Sequence, residues 1–208
     1  MSLLNTTPTR PLMTEAELAF MFSGSDDSRY SKIKRLVAQG KLLRIRRGLY
    51  TWARDSKPKV ALHSFELAQR IYAPSYVSLE SALAYHQLIP EAVYTVTSVS
   101  TKRSKEFDTP LGKFSYTRLP THNFYVNVKL VVVDNHQFFM AKPWKAICDY
   151  VYCYKKNWRS LEPLQKSLRI DIDELSLLGD SVMTQLEHYY HSERITRFLC
   201  GIKRELKL

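Results

Sequence analysis

The stretch Arg29–Arg54, RYSKIKRLVAQGKLLRIRRGLYTWAR, decides how this chain is read. It holds nine Lys or Arg residues (Arg29, Lys32, Lys34, Arg35, Lys41, Arg44, Arg46, Arg47 and Arg54) and no Asp or Glu. The whole chain of 208 residues carries a net charge of +11, so this segment accounts for +9 and everything else for +2. Solubility alone does not need charge that concentrated. A surface that neutralises phosphates and releases their counterions does.

Local pattern gives the segment its shape. Asp27 or Ser28 is expected to cap a helix running to about Gln39, and Gly40 stops it. Tyr30, Ile33, Leu36 and Val37 share one side at helical spacing, and Ser28, Ser31, Lys32, Arg35 and Gln39 share the other. Residues 41–52 then read as a hairpin turning at Arg47-Gly48, where glycine supplies a positive φ. Leu43, Ile45, Leu49 and Tyr50 are the residues expected to pack beneath the helices. A basic helix alone reads as a solvated face. A basic helix followed by a basic hairpin reads as the second half of a winged helix-turn-helix. One helix face docks on its scaffold and the other meets base edges and phosphates. Ser28, Ser31, Lys32 and Arg35 are then the base-reading candidates, and Lys41, Arg44, Arg46 and Arg47 the backbone grip. Upstream, Thr14 with Glu17 forms a capping box for a preceding helix that ends at Ser23-Gly24-Ser25. Residues 1–12 read as a loose lead-in with little room for the usual first helix, which Pro8 and Pro11 oppose, so that helix is expected to be short or supplied by the rest of the chain.

The polar, proline-containing segment 53–59 reads as a hinge, giving domains at 1–55 and 60–208. The body is expected to be α+β. A helix over 60–72 precedes Pro74, and Ser78 caps another through Tyr85. Strands follow at 93–100 and in two hairpins, one over 107–119 and one over 128–141. Pro143 opens a helix reaching about Tyr154. A helical tail follows, with Asp173 as one cap. Its last helix starts near Ser192 and carries the stripe Ile195, Phe198, Leu199, Ile202 and Leu206, read as core packing.

Composition narrows function. Hydrophobic residues make up 45% of the chain, enough for a real core. Three cysteines (Cys148, Cys153 and Cys200) without CxxC spacing exclude a disulfide framework or zinc ribbon and suit a reducing cytosol. Cys148 and Cys200 are expected on apolar helix faces. The chain has no membrane-length apolar run and no signal-peptide pattern at its start.

Catalytic patterns are mostly rejected. Asp171-Ile172-Asp173 is a DxD, but the Gly24-Ser25 that would accompany it in a nucleotidyltransferase lies in a turn of the basic arm. His188 and His191 stand three apart without further ligands and read as surface residues; His86 reads as a structural histidine and Cys148 as an inert buried thiol. No metal, cofactor or catalytic set is expected. Lys102, Arg103 and Lys105 form a second basic group, either a solvated loop or an additional phosphate contact.

Several blocks resemble the AbiEi family, antitoxins of type IV toxin–antitoxin systems. They are the wing-like 42–50, the block 74–83 (PSYVSLESAL) with 86–90 (HQLIP), then 97–103, 109–114, and 141–149. The resemblance covers roughly 14–152, with Trp144 standing where the family usually has Glu. It implies a winged helix that binds inverted repeats in double-stranded DNA at its own promoter. It also implies a body that opposes a nucleotidyltransferase-like toxin in the cytoplasm without a stable complex. Two alternatives stay open. One is an ordinary transcription factor whose body binds a ligand or dimerises. The other is a nucleic-acid-processing enzyme drawing on Asp108, Asp134, Asp149, Asp171 and Asp173.

Overall fold

A computed structural model describes residues 12–53, 62–120, 123–176 and 181–207. The chain divides into two compact units. One comprises the residues up to His63 together with 107–112, and the other comprises the remainder.

The first unit runs β1 (Leu12–Thr14), α1 (Glu15–Met21), α2 (Asp26–Ala38), β2 (Leu42–Arg46) and β3 (Leu49–Trp52), with sheet order β1-β3-β2. Leu12, the last residue of the expected loose lead-in, stands in a strand, and residues 1–11 lie outside the described residues. Leu12–Thr14 pairs antiparallel with β3, Leu12 opposite Thr51. Two apolar side chains and a threonine are too few to show a period in sequence. The capping box at Thr14 is present, Thr14 Oγ1 accepting from Glu17 N and Glu17 Oε2 accepting from Thr14 N at 2.7 Å. The cap of α2 is Ser25, ahead of the expected Asp27 or Ser28, and Asp26 and Asp27 fall inside the first turn, where their charge suits the helix dipole. Gly40 ends the element at φ +67°.

The hairpin turns at Arg47-Gly48 as read, and Gly48 O accepts from Glu15 N. A bulge lies between Arg44 and Arg46. The extra residue reverses the side-chain alternation, so Leu42 and Ile45 both turn inward while Arg44 between them stays exposed. Leu42, and not the half-buried Leu43, joins Met13, Leu18, Phe22, Ile33 and Tyr50 in the core of this unit.

The remaining elements are α3 (Ser64–Ile71), β4 (Ser75–Val77), α4 (Leu79–Tyr85), β5 (Thr95–Ser100), β6 (Lys105–Thr109), β7 (Gly112–Arg118), β8 (Val128–Val133), β9 (His136–Ala141), α5 (Pro143–Cys153), α6 (Glu162–Leu168), α7 (Ile172–Ser176), α8 (Ser181–Tyr190) and α9 (Glu193–Leu206); apart from residues 107–112, they make up the second unit. The architecture is mixed α/β, as expected. Its six-stranded sheet has the order β6-β7-β5-β4-β9-β8. β4 pairs antiparallel with β5 and parallel with β9, and β5 pairs parallel with β7. The strand β4 was not read from sequence: its three residues are all buried and show no alternation. The first helix of this unit starts at Ser64 rather than Val60, and residues 54–61, with the expected hinge, lie outside the described residues.

A buried polar cluster joins β4, α5 and α8. Asp149 Oδ1 accepts from Lys145 Nζ at 2.7 Å and Tyr190 OH at 2.6 Å, and Oδ2 accepts from Ser78 Oγ at 2.7 Å and Tyr76 OH at 3.0 Å. Lys145 and Asp149 side chains are both 0% exposed. The ammonium also sits 4.0 Å from the ring centre of Tyr189. Burial pulls Lys145 below the usual lysine range, and Asp149 opposes that shift. Ser78 occupies the cap position of α4, but its hydroxyl is spent on Asp149, so it makes no capping bond.

The tail forms as read, with Ile195, Phe198, Leu199 and Ile202 buried. Two details differ. Asp171, not Asp173, supplies the side-chain acceptor at the start of α7, taking the Asp173 N–H at 3.0 Å. Cys200 is exposed on the polar side of α9, while Cys148 is buried and its thiol is pushed far up by that burial.

Candidate nucleic-acid interface

Helix α2 sorts its side chains around one buried residue, Ile33. Ser28, Ser31 and Arg35 are exposed and lie on the opposite side from it, together with Gln39. Sequence grouping and structure agree for these. Lys32 is turned to the flank: it is half-buried, with Nζ 4.5 Å from the ring centre of Phe22. Its stem packs on α1 while the charge remains at the surface.

The remaining cations of the stretch differ in how far they are used up within the molecule. Arg29 donates from Nε to Phe22 O at 2.9 Å and pairs with Asp26 at 3.2 Å. It is a bracket between α1 and α2 rather than a free charge. Arg29 is the only cation of the stretch that pairs with a carboxylate among the described residues. Arg46 folds back, Nη1 donating to Arg47 O at 2.9 Å, while its Nε is buried without a partner. Lys41, Arg44 and Arg47 are exposed. Arg54 lies outside the described residues.

Two residues belong here that the sequence grouping misplaced or passed over. Tyr30, assigned to the packing side, is 51% exposed. Lys34 stands beside it, Nζ 4.7 Å from its ring centre. Together with Arg44 and Arg47 they border a cleft of about 310 Å³ between α2 and the hairpin. The signal available in sequence was the spacing: Tyr30 and Lys34 are i,i+4 neighbours, one turn apart on a helix flank. Tyr50, opposite Arg44 in the ladder, forms part of the lining. Burial and then Glu15 raise its phenol, with Arg44 pulling the other way.

Lys102, Arg103 and Lys105 are exposed on and beside the turn between β5 and β6. That turn is held on several sides. Tyr72 OH donates to Arg103 O at 3.0 Å, Lys102 N donates to Ser100 Oγ, and Arg118 N donates to Ser104 Oγ at 2.9 Å. Arg118, exposed and opposite Ser100, adds a fourth cation that the sequence reading omitted.

The acidic residues considered for catalysis occupy separate places. Asp108 is on β6, Asp134 is in the β8–β9 turn, Asp149 is in the buried cluster, and Asp171 and Asp173 are at α7. Among the described residues no three His, Cys, Asp or Glu side chains are grouped to hold a metal. His86 donates from Nε2 to Ala141 O at 2.9 Å, the satisfied structural histidine expected. His188 is exposed, with Nδ1 3.0 Å from Thr184 O, and His191 is exposed beside it. No helix of the described residues is long and apolar enough to cross a membrane. Neither a protein-family model nor a curated protein matches this chain.

Proposed function

We propose that this chain is a DNA-binding antitoxin of the AbiEi type, which represses its own operon and opposes a nucleotidyltransferase-like toxin. The first unit acts as a winged helix-turn-helix whose helix pair follows the short strand β1. In this reading α1 and α2 are the helix pair and β2–β3 is the wing. The observation that carries the reading is the exposed face of Ser28, Ser31 and Arg35 beside a hairpin bearing Arg44 and Arg47. Apart from Arg29, no cation there is spent on an internal carboxylate among the described residues.

The division of labour follows from chemistry. Ser31 and Arg35 present donors to base edges in the major groove, Arg suiting guanine O6 and N7. Lys41, Arg44 and Arg47 contact phosphates, which fixes register and adds salt-dependent affinity. Arg46, folded onto the Arg47 carbonyl, keeps the wing tip in shape. Lys102, Arg103 and Lys105 add a second phosphate-binding surface on the body.

The test is a gel-shift titration of the full-length chain on the DNA upstream of its own operon, paired with growth rescue against the adjacent reading frame. Arg35→Ala with Arg47→Ala abolishes the specific shift and leaves rescue intact. Wild-type chain that fails to shift this DNA, or a double variant that shifts it unchanged, overturns the DNA assignment. Failure of the wild-type chain to restore growth overturns the antitoxin assignment.

A further inference from the structure

The geometry points to a phosphate seat in the cleft between α2 and the β2–β3 hairpin, formed by Lys34, Arg44 and Arg47 with Tyr30 at its rim. This inference rests on the DNA-binding reading of the first unit and deepens it. The ligand chemistry is a phosphate oxyanion, and the source is the backbone of the bound duplex.

The cleft has a floor and two walls. Ile33, Val37 and Tyr50 close it from below, and Ile33 and Tyr50 are themselves core residues. One wall is the flank of α2 carrying Tyr30 and Lys34, and the other is the hairpin carrying Arg44 and Arg47. Three cations border it against one carboxylate, Glu15, and none of the three is ion-paired among the described residues. A concavity of one predominant sign with apolar walls concentrates the field at its mouth. Its volume of about 310 Å³ is at the small end of ligand sites, suited to one charged group rather than an extended molecule.

Lys34 is placed for this task. Its ammonium rests near the Tyr30 ring, which limits where the chain points without neutralising the charge. The bulge between Arg44 and Arg46 does the same for the hairpin, because it aims Arg44 outward between two residues that turn in. The seat lies on a different side of α2 from Ser28, Ser31 and Arg35. A phosphate held there sets how the reading face meets the base edges, so the cleft is a positioning device for the helix.

The experiment measures anisotropy of a short labelled duplex with full-length chain across a salt series. Lys34→Ala lowers the slope of log affinity against log salt by about 0.9, the share of one phosphate contact, and Arg44→Ala and Arg47→Ala each do the same. Cys200→Ala, at an exposed position on α9 in the second unit, leaves the slope unchanged. Circular dichroism confirms that each variant is folded. An unchanged slope for Lys34→Ala alongside weakened binding for Arg35→Ala overturns the seat while leaving the DNA reading standing. A wild-type chain that binds no duplex at low salt overturns both. A second arm titrates inorganic pyrophosphate without DNA. Saturable binding lost in Lys34→Ala, with a duplex slope indifferent to Lys34, assigns the cleft to a small phosphorylated ligand and overturns the backbone source.

Discussion

Asp149 accepts four hydrogen bonds in a place no water reaches, and its neighbours are chosen by that fact. Removing one partner leaves a buried charge without compensation, which costs far more than a surface pair does. Lys145→Met is expected to destabilise the chain by about 3–5 kcal/mol, read from denaturant midpoints at constant slope. Lys145 and Asp149 at i,i+4 on an apolar helix look in sequence like an ordinary surface pair. Only the helix face, buried from Trp144 to Cys148, reveals otherwise. His86 behaves differently, because burial holds its pKa below the ordinary 6.5 despite the Ala141 carbonyl. The unfolded chain then takes up a proton first as pH falls. Stability is full above the ordinary histidine value and declines as pH drops through it, levelling off below the folded value. His86→Gln is expected to flatten that decline as pH falls through the ordinary histidine range in thermal melts. Tyr30 is the residue-scale misreading. An aromatic at core spacing was assigned inward, and the place one turn nearer the helix start, beyond the edge of the core, left it at the surface.

Elements with a strong local signature were legible. The capping box at Thr14, the glycine at the end of α2, the proline at the start of α5 and the stripe on α9 each have a local physical cause, and each holds. What escaped were β1 and β4, three residues apiece, whose pairing partners are distant in sequence. Helix α9 also carries a constraint invisible to pattern. A Cβ at Gly201 would stand 1.8 Å from the Arg159 carbonyl oxygen, a backbone atom that cannot swing aside. Gly201→Ala raises intrinsic helix preference by about 1 kcal/mol. It is nonetheless expected to lower the melting temperature, because the helix must lift off the loop before α6 to admit one methyl group. Calorimetry beside an Ala substitution at exposed Cys200 separates the two effects.

At the scale of the whole chain, the count of cations overstates how many the fold leaves free. The basic stretch does build a surface, yet Arg29 is consumed by Asp26 and Phe22, and Arg46 by its neighbour. Sequence counts charges and cannot see which are already engaged. The second basic group, on a turn held by Tyr72, Ser100 and Arg118, is expected to act alongside the first. Lys102→Ala with Arg103→Ala should lower the salt slope of duplex binding by about two phosphate contacts' worth while leaving growth rescue unchanged. The sheet of the second unit ends at β8, where Leu130 and Val132 face outward, exposed, on a terminal strand. The net charge of +11, most of it in the first unit's basic stretch, is expected to oppose the approach of two such molecules in dilute electrolyte. Concentrated brine shrinks the reach of that repulsion to about 3 Å at 1 M. Strong brine is therefore expected to weaken what keeps the exposed β8 edges of two copies apart, and light scattering across a salt series checks it.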